Sequence, residues 1–576
     1  MTRVQARHLL GAEHGYALVL SLVILLGFSV LGLTLVTLGT TEVASSASWK
    51  DYSKAFYAAD GGLESGVVGL RALLANTPAP TGAQLAAITA PTISTPGLSF
   101  NTYSVQQLNA TPFAMQFATG PYAGLSGHST DYQVAAQVVG QGGARTTLTQ
   151  VLQYVQVPLF QFGIFYGKGV DLELRPGPAM TFNGKIFANS NIYIAAGTTL
   201  KITQSVKTAG NIYRDIKSES SYPNYNDPQI SDASGTLQTL NFDHTYKPGF
   251  GSQWSSPSAW AQQANTTFGK QVQDSAMGVA QIIPPLPGMF SNPSNPDVVA
   301  HQLVELPQAA DSSALKAAKL YSQAGLRIVD GVATDAGNVP VTLPAGAITS
   351  TSFFDSREQR TMTVTQVDIA KLKTAGTLPA NGVLYVASSS STPGQAVRLV
   401  NGSSLPSQGL SVVSQNPVYI AGDYNTATTG PNGNHPPAAV LGDAVTVLSN
   451  AWMANNYDTK GDQAFQNRAA SATTVNAAIA TGPSSESTMG NDNGKANNLV
   501  RHLEDWTNQS FTYSGSLVAL WHSQQVTGAW RCCGATSNFY YAPPNRVWSY
   551  DTLFDTSDPP GTPSGVVMQK GRWSRS

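Results

Sequence analysis

Cysteine is almost absent from this chain of 576 residues, and the two cysteines that occur, Cys532 and Cys533, are adjacent. One adjacent pair cannot cross-link distant segments, so a disulfide-stabilised scaffold is excluded. In an oxidising compartment the pair could close as a vicinal disulfide or bridge to another chain. Two thiols in a surface loop are the alternative.

Charge is scarce as well. Charged residues make up 11% of the chain, less than half of the usual share of about 25%, and the net charge is −1. Lysine and arginine form no cluster. The sequence therefore offers no electrostatic basis for a nucleic-acid partner or for binding acidic lipids. The abundant small polar residues favour an exported, β-rich protein.

Catalytic and metal-binding motifs are missing too. Ser126 is followed directly by a glycine, so the Gly-x-Ser-x-Gly pattern of a nucleophile elbow is not formed. The eight histidines show no His-Glu-x-x-His spacing for zinc. Loops rich in Asp and Asn, such as Asn456–Asp462, are explained by turn formation as well as by calcium binding. We therefore predict a protein that is not an enzyme and needs no cofactor or metal.

What the chain does have is an uncharged, mostly apolar run of 24 residues from Tyr16 to Gly39. This length is enough to cross a bilayer as one helix. A secretory signal has a shorter apolar core and a small-x-small cleavage site, and neither is clear here. The helix is expected to continue to residue 75, because apolar residues from Leu63 to Leu74 recur at helical spacing. Gly61 and Gly62 should weaken it by about 1 kcal/mol each relative to alanine.

Two motifs flank this run. Gly15-Tyr16-Ala17-Leu18-Val19-Leu20 opens it, and Ala55-Phe56-Tyr57-Ala58-Ala59-Asp60-Gly61-Gly62-Leu63-Glu64 follows it. In motif and spacing, residues 1–75 resemble the N-terminal region of PilX-type minor pilins, which belong to the type IV pilin and type II secretion pseudopilin family. The departures are mild, since Tyr16 stands in place of Phe and Asp60-Gly61-Gly62 in place of Glu-Ala-Gly.

The resemblance implies a leader peptide over residues 1–15, which a prepilin peptidase cuts after Gly15, and a methylated new N-terminus at Tyr16. It implies a single-pass protein of the inner membrane, with transmembrane segment 16–39 and an exported domain that reaches the cell surface in a pilus. The implied partners are other pilins or pseudopilins. The filament contacts are expected at Leu18, Leu20, Leu22, Leu25 and Leu26.

Leu20 occupies the fifth mature position, where major pilins carry a glutamate that neutralises the buried terminal amine of the neighbouring subunit. A buried carboxylate is costly without its partner, so its absence is typical of a subunit outside the repeating shaft. We therefore expect a place at the pilus tip or in a priming complex. A plain single-pass anchor is the alternative, but an anchor does not predict the block Ala55–Glu64.

Beyond a proline-rich linker the chain is mostly β in character. A β head module is expected over residues 98–165, because the strand-like runs 132–139 and 144–157 flank a glycine-rich turn. Residues 216–376 form a mixed linker region, in which capping residues and a terminal glycine predict a helix over Asp311–Ala324.

A repeat occurs after the head module. Asn191-Ile192-Tyr193 returns as Asn211-Ile212-Tyr213, and short apolar groups around them are broken by glycines. This period of twenty predicts a short β-solenoid-like segment over residues 166–215. Similar groups recur in a C-terminal β-rich domain over 378–576. An ordinary β-sandwich is the alternative architecture.

Together these features predict an α+β fold, in which a long membrane-spanning helix precedes a large, mostly β head. The predicted function is that of a minor-pilin-like structural subunit in the assembly of a type IV pilus or pseudopilus. The alternative is a membrane-anchored, exported β-solenoid protein that binds surfaces or glycans.

Overall fold

A computed structural model describes residues 13–140, 143–214, 216–217, 226–242, 257–430, 433–485, 493–532 and 539–576 of the chain. One very long helix leads into a large assembly of β-sheets. The expected α+β fold is therefore confirmed.

The first element is a helix of 64 residues, α1 (Glu13–Asn76). At 1.5 Å per residue it is about 95 Å long. No proline interrupts it, and Pro78 follows its end, where proline cannot continue a helix. Residues 16–54 are mostly exposed and form its free half, whereas one face of residues 55–74, its docked half, is buried.

The docked half packs on an antiparallel sheet, the head sheet. Its strands are β1 (Ser99–Gln107), β2 (Phe113–Gln116), β3 (Ser126–Val139), β4 (Arg145–Pro158) and β31 (Ser564–Arg575), and the short helix α2 (Gly82–Ala86) precedes them. β3 and β4 form the hairpin predicted from the runs 132–139 and 144–157. β1 pairs with β3, and β31, the last strand of the chain, pairs with the free edge of β4.

The chain leaves the head sheet after β4, and among the described residues its next strand in that sheet is β31. Ile283 also contacts β31, through an isolated bridge to Val566. Pro158 and Ser564 are cross-strand partners, and the amide of Leu159 donates to the carbonyl of Pro563 at 2.9 Å. Residues 159–563, here called the body, are thus inserted between two neighbouring strands. Two adjacent connections hold the body on the head sheet.

The body is built around one sheet of eleven strands, which are all parallel except for one terminal pair. In spatial order the strands are β15 (Val272–Gln273), β11 (Val206–Thr208), β8 (Ile186–Ala188), β5 (Ile164–Tyr166), β29 (Leu517–Ala519), β27 (Ala478–Ala480), β24 (Ala438–Leu441), β22 (Leu410–Val413), β20 (Val383–Ala387), β16 (Leu326–Val329) and β17 (Val332–Asp335). The pairing of β5 with β29 joins an early block of strands to a late one. Two segments that are far apart in sequence therefore share one sheet.

A single aliphatic column runs through this sheet, because each of the ten parallel strands from β15 to β16 places one branched residue opposite the next. Its members, at most 3% exposed, are Leu326, Leu384, Val412, Val440, Ile479, Leu517, Ile164, Ile186, Val206 and Val272. Contiguous burial of this kind supplies the main hydrophobic stabilisation. The largest core cluster follows this column.

Four smaller sheets flank the column. Two sheets have three strands each: β6 (Leu172–Leu174), β9 (Ile192–Ile194) and β12 (Ile212–Tyr213) form one, and β26 (Thr473–Asn476), β28 (Ser510–Gly515) and β30 (Asn545–Tyr550) form the other. A sheet of four strands contains β7 (Met180–Phe182), β10 (Leu200–Ile202), β13 (Gln229–Ser231) and β14 (Leu237–Thr239). A sheet of five strands contains β18 (Ile348–Asp355), β19 (Arg360–Asp368), β21 (Gln395–Val400), β23 (Val418–Ala421) and β25 (Val445–Leu448). The repeated triplets pair in parallel, since Ile192 and Tyr193 face Ile212 and Tyr213. The period of twenty seen in the sequence is therefore the offset between paired strands.

The remaining helices are short: α3 (Pro257–Phe268), α4 (Pro296–His301), α5 (Ser313–Ala318), α6 (Leu320–Gln323), α7 (Ile369–Thr374) and α8 (Asn450–Ala454). The prediction of one helix over Asp311–Ala324 was wrong, because α5 and α6 are separated by an extended Lys319. The Lys319 side chain is buried, with its ammonium 2.7 Å from Asp311 and 2.9 Å from the carbonyl of Leu306. This buried ion pair outweighs the local helix propensity.

Candidate assembly helix and its junction with the head

The free half of α1 is mostly exposed, and its part from Tyr16 to Gly39 is mostly apolar and exposed around its circumference. Its most apolar window has a mean hydropathy of 2.6 and no buried residue, so the helix is long and apolar enough to cross a membrane. The predicted contact residues are 61–69% exposed: Leu18, Leu20, Leu22, Leu25 and Leu26. Leu18, Leu22, Leu25 and Leu26 lie on one face of the helix, whereas Leu20 lies on the opposite face. Lipid or neighbouring helices can therefore pack on both sides.

The serine and threonine hydroxyl groups from Ser21 to Thr41 are satisfied within the helix. Ser21 donates to the carbonyl of Leu18 at 2.9 Å, and Ser29 donates to that of Leu25 at 2.7 Å. Thr37 donates in the same way to a carbonyl one turn earlier. An unpaired hydroxyl is costly in hydrocarbon, so these internal bonds make the polar residues compatible with an apolar environment.

The predicted processing bond lies close to the start of the helix. α1 begins at Glu13, which places Gly15 and Tyr16 in its first turn, and the Tyr16 side chain is 83% exposed. Residues 1–12 of the expected leader are outside the described residues. Cleavage after Gly15 stays a prediction.

The docked half presents one apolar stripe to the head sheet. Its members recur every three or four positions and are at most 2% exposed: Ala55, Ala59, Leu63, Val67, Leu70 and Leu74. They pack with buried residues of β3 and β4, among them Val134, Ala136 and Leu152. The small residues of the Ala55–Glu64 block thus lie where the helix first meets the head.

Two glycines allow this close approach. A Cβ atom added to Gly62 would lie 2.6 Å from the Phe100 ring, and one added to Gly66 would lie 2.5 Å from Cγ1 of Val134. At Gly61, by contrast, no atom of the described residues lies within 4 Å of the same position. Sequence reasoning foresaw only the weaker helix propensity of Gly61 and Gly62. The contact of Gly62 and Gly66 with the head sheet could not be predicted, since nothing local to the helix indicates which of its faces packs on the sheet.

The last strand of the chain also holds the helix. Four side-chain pairs join α1 to β31. Glu64 and Lys570 form an ion pair at 2.5 Å, and the edge-to-face rings of Phe56 and Trp573 lie 6.5 Å apart. The guanidinium of Arg575 lies 4.8 Å from the Tyr52 ring centroid and 5.7 Å from that of Phe56. Sequence reasoning grouped this strand with a C-terminal β-rich domain. Its partners are about 500 residues away, so no local pattern could have identified them.

Cys532 lies away from this junction. Cys532 is 9% exposed and packs in a cluster with Tyr540 and Tyr541. Cys533 is outside the described residues. The vicinal disulfide therefore stays a prediction.

A buried charge network fixes α4 to the body. The two ring nitrogens of His301 lie 2.7 Å from Oε1 of Glu305 and 3.1 Å from Oδ1 of Asp443. Burial lowers the pKa of His301, but the hydrogen bonds and negative charges of Asp443 and Glu305 outweigh it and raise the pKa to about 9. Burial raises the pKa of Asp443, but the hydrogen bond and charge of His301 bring it below its ordinary value. The imidazolium and the carboxylate therefore form a buried ion pair.

Within the described ranges, no group of three or more His, Cys, Asp or Glu side chains is placed to hold a metal ion. The exposed apolar part of α1 is the candidate site for packing, and the docked half joins it to the head sheet.

Comparison with known proteins bears on the helix. The family model described as PilX N-terminal matches residues 14–64. No curated protein matches the chain at a significant level. Among solved structures, the competence-associated pilin ComZ from Thermus thermophilus aligns at 11% sequence identity, over 91% of this chain and 98% of that chain, with a TM-score of 0.28. At that TM-score the likeness carries no argument.

Proposed function

We propose that the chain is a structural subunit in the assembly of a type IV pilus or pseudopilus, because residues 14–64 match the family model described as PilX N-terminal. One observation carries this proposal. The exposed apolar half of α1 continues without a break into the half that is docked on the head sheet. A membrane tether needs no rigid link to its cargo, whereas packing in a filament requires a head held at a defined angle to its helix.

The proposed mechanism is assembly and involves no catalytic step. The free half holds the subunit in the inner membrane while the head and body are exported. Prepilin peptidase then cuts between Gly15 and Tyr16. The free half leaves the bilayer and packs laterally among other pilin helices, through the contact residues Leu18, Leu20, Leu22, Leu25 and Leu26.

We place the subunit at the tip of the filament or in a priming complex. Leu20 stands where a repeating subunit carries its glutamate, and the whole run from Tyr16 to Gly39 is uncharged. The size of the body supports this placement, because residues 159–563 are inserted between the end of β4 and the start of β31 in a small head sheet. Such bulk at every position would crowd a closely packed shaft. We also propose that the stacked parallel ladders make the body β-solenoid-like, which the continuous aliphatic column supports.

In-cell photo-crosslinking tests the assembly role. A photoreactive residue at Leu22, which is 66% exposed on the free half, should give adducts with other pilins. A matched control is Val332, which is 65% exposed but lies on the body, and it should give none. Equal yields at both positions, or adducts with lipid alone at Leu22, would contradict lateral packing in a filament.

Immunogold labelling of the body on isolated pili tests the position separately. Label confined to filament ends supports a tip subunit, and absence from filaments that need the protein to form supports a primer. Label spaced along the whole length would overturn the placement while leaving the assembly role intact.

A further inference from the structure

A cleft of about 450 Å³ lies between the head loop 118–125 and the body. This volume falls within the range of roughly 300–1,000 Å³ that is typical of small-molecule sites. One wall consists of residues in or just before the successive parallel strands β8, β11 and β15. The other wall is the backbone of the head loop. The cleft is thus bounded by two separately anchored parts of the fold.

Three lysines line the cleft: Lys185, Lys207 and Lys270. Among the described residues that line it there is no Asp or Glu. The nearest carboxylate partner of Lys185 is Asp555, at 3.9 Å and partly exposed. Acidic residues slightly outnumber basic ones in the whole chain, 33 to 32, so three lysines without an acid among them mark a local excess of positive charge.

A hydrogen bond holds the Lys207 side chain in place at the cleft. Its ammonium donates to the carbonyl of Pro121 in the head loop at 2.8 Å, which fixes it across the cleft. Burial, and secondly the positive charge of Lys185, lowers the pKa of Lys207 to about 8. A bound anion would offset both effects.

Gln273 gives a second, independent indication that the cleft binds a ligand. It is the parallel-strand partner of Lys207, so the two side chains stand on the same face about 4.8 Å apart. Gln273 is 7% exposed, and its Oε1 atom has no hydrogen-bond partner among the described residues. A buried unpaired acceptor is costly. A ligand with a hydroxyl or N–H donor would satisfy it.

We propose that this cleft binds an acidic sugar unit of a glycan. The carboxylate would lie between Lys207 and Lys185, and a ring hydroxyl would donate to Oε1 of Gln273. A simple anion such as sulfate satisfies only the lysines, and a neutral sugar satisfies only Gln273. Single-stranded DNA also combines anionic groups with N–H donors, so it is the competing ligand in the binding test. The site does not depend on the assembly role of the helix.

Isothermal titration calorimetry on the detergent-solubilised full chain tests this inference with four probes. Trigalacturonate should bind, and its methyl ester, which keeps the hydroxyls and loses the charge, should bind at least tenfold more weakly. Sodium sulfate should compete only weakly. Absence of heat with trigalacturonate at millimolar concentration would overturn the proposal, and so would equal binding of the acid and its ester. Single-stranded DNA that binds more tightly than trigalacturonate and displaces it would assign the cleft to nucleic acid instead.

Variants locate the binding. Lys207→Met should weaken trigalacturonate about tenfold or more, as expected for the loss of one charge-assisted hydrogen bond. Gln273→Leu should weaken it severalfold without changing sulfate binding. Lys270→Met tests the same charge at an exposed position, where folding is not at risk, and should also weaken binding. The control is Lys201→Met, in β10 outside the cleft, which should leave affinity unchanged. Equal losses in Lys207→Met and Lys201→Met would contradict the site.

Discussion

Replacing Gly66 by alanine should loosen the docked half of α1, whereas the same change at Gly61 should stabilise it. Both positions are inside the helix, where alanine is favoured over glycine by about 1 kcal/mol. At Gly61 the added methyl group would have no neighbour within 4 Å in the described part of the chain, so the gain is retained. At Gly66 the methyl group would lie 2.5 Å from both Cγ1 of Val134 and the hydroxyl of Tyr103.

The loss of local stability in Gly66→Ala depends on how far Val134 and Tyr103 can shift. Val134 is fully buried in β3, and its β-branched side chain is restricted at χ1. Overpacking against such a residue costs about 1–3 kcal/mol. Displacing Tyr103 also disturbs its hydrogen bond to the carbonyl of Gly62, 3.1 Å long and worth about 1 kcal/mol. After the helix gain is subtracted, Gly66→Ala should lose about 1–3 kcal/mol of local stability.

Amide hydrogen exchange, followed by mass spectrometry on peptides from residues 59–74, measures this local stability. We expect exchange to be roughly tenfold faster in Gly66→Ala and about fivefold slower in Gly61→Ala, since 1.4 kcal/mol corresponds to a factor of about ten. The two variants share a helix and a substitution, so each is the control for the other. Equal effects, or effects of the reverse sign, would refute the close approach at Gly66.

Three further predictions concern the body, the closing strand and the free half. The folded pKa of His301 is about 9, above its ordinary 6.5. Protonated His301 therefore contributes fully to the free energy of unfolding below pH 6.5, and this contribution is lost as the pH rises to 9. The wild-type Tm should fall across this window, by the equivalent of at most about 3 kcal/mol. His301→Gln should remove that slope, and parallel melting curves would contradict the ion pair. Deleting residues 564–576 removes β31 with its buried Val566 and Val567, and exchange in β4 should rise more than tenfold; unchanged exchange would show that the head sheet is complete without it. Leu20→Glu should spread immunogold label from filament ends into the shaft, and label that stays at the ends would mean that the missing carboxylate does not restrict the position.

Features encoded by local periodicity could be predicted from the sequence. The free half of α1 was predictable from its uncharged run, and the β3–β4 hairpin from two alternating runs around a glycine turn. The offset of twenty residues between Ile192 and Ile212 was visible as a repeat. Each of these depends only on residues that are near one another in the chain.

Features that depend on distant contacts could not be predicted. Pro158 pairs with Ser564, and Ile164 pairs with Leu517; neither pairing leaves a local pattern. Lys319 reads as a good helix former, yet its buried ion pair breaks the helix. The cleft has the same origin, because Lys207 and Gln273 are 66 positions apart in the sequence and become neighbours only through strand pairing.

Mass spectrometry of the mature protein, purified from cells with active prepilin peptidase, tests the pilin assignment most directly. We predict an N-terminus at Tyr16 that carries a methyl group. Gly15→Ala should block or slow this processing, whereas Gly11→Ala, earlier in the leader, should not; unchanged cleavage in Gly15→Ala would contradict the assignment of that peptide bond. An intact Met1 N-terminus in the wild-type protein would contradict a processed pilin subunit.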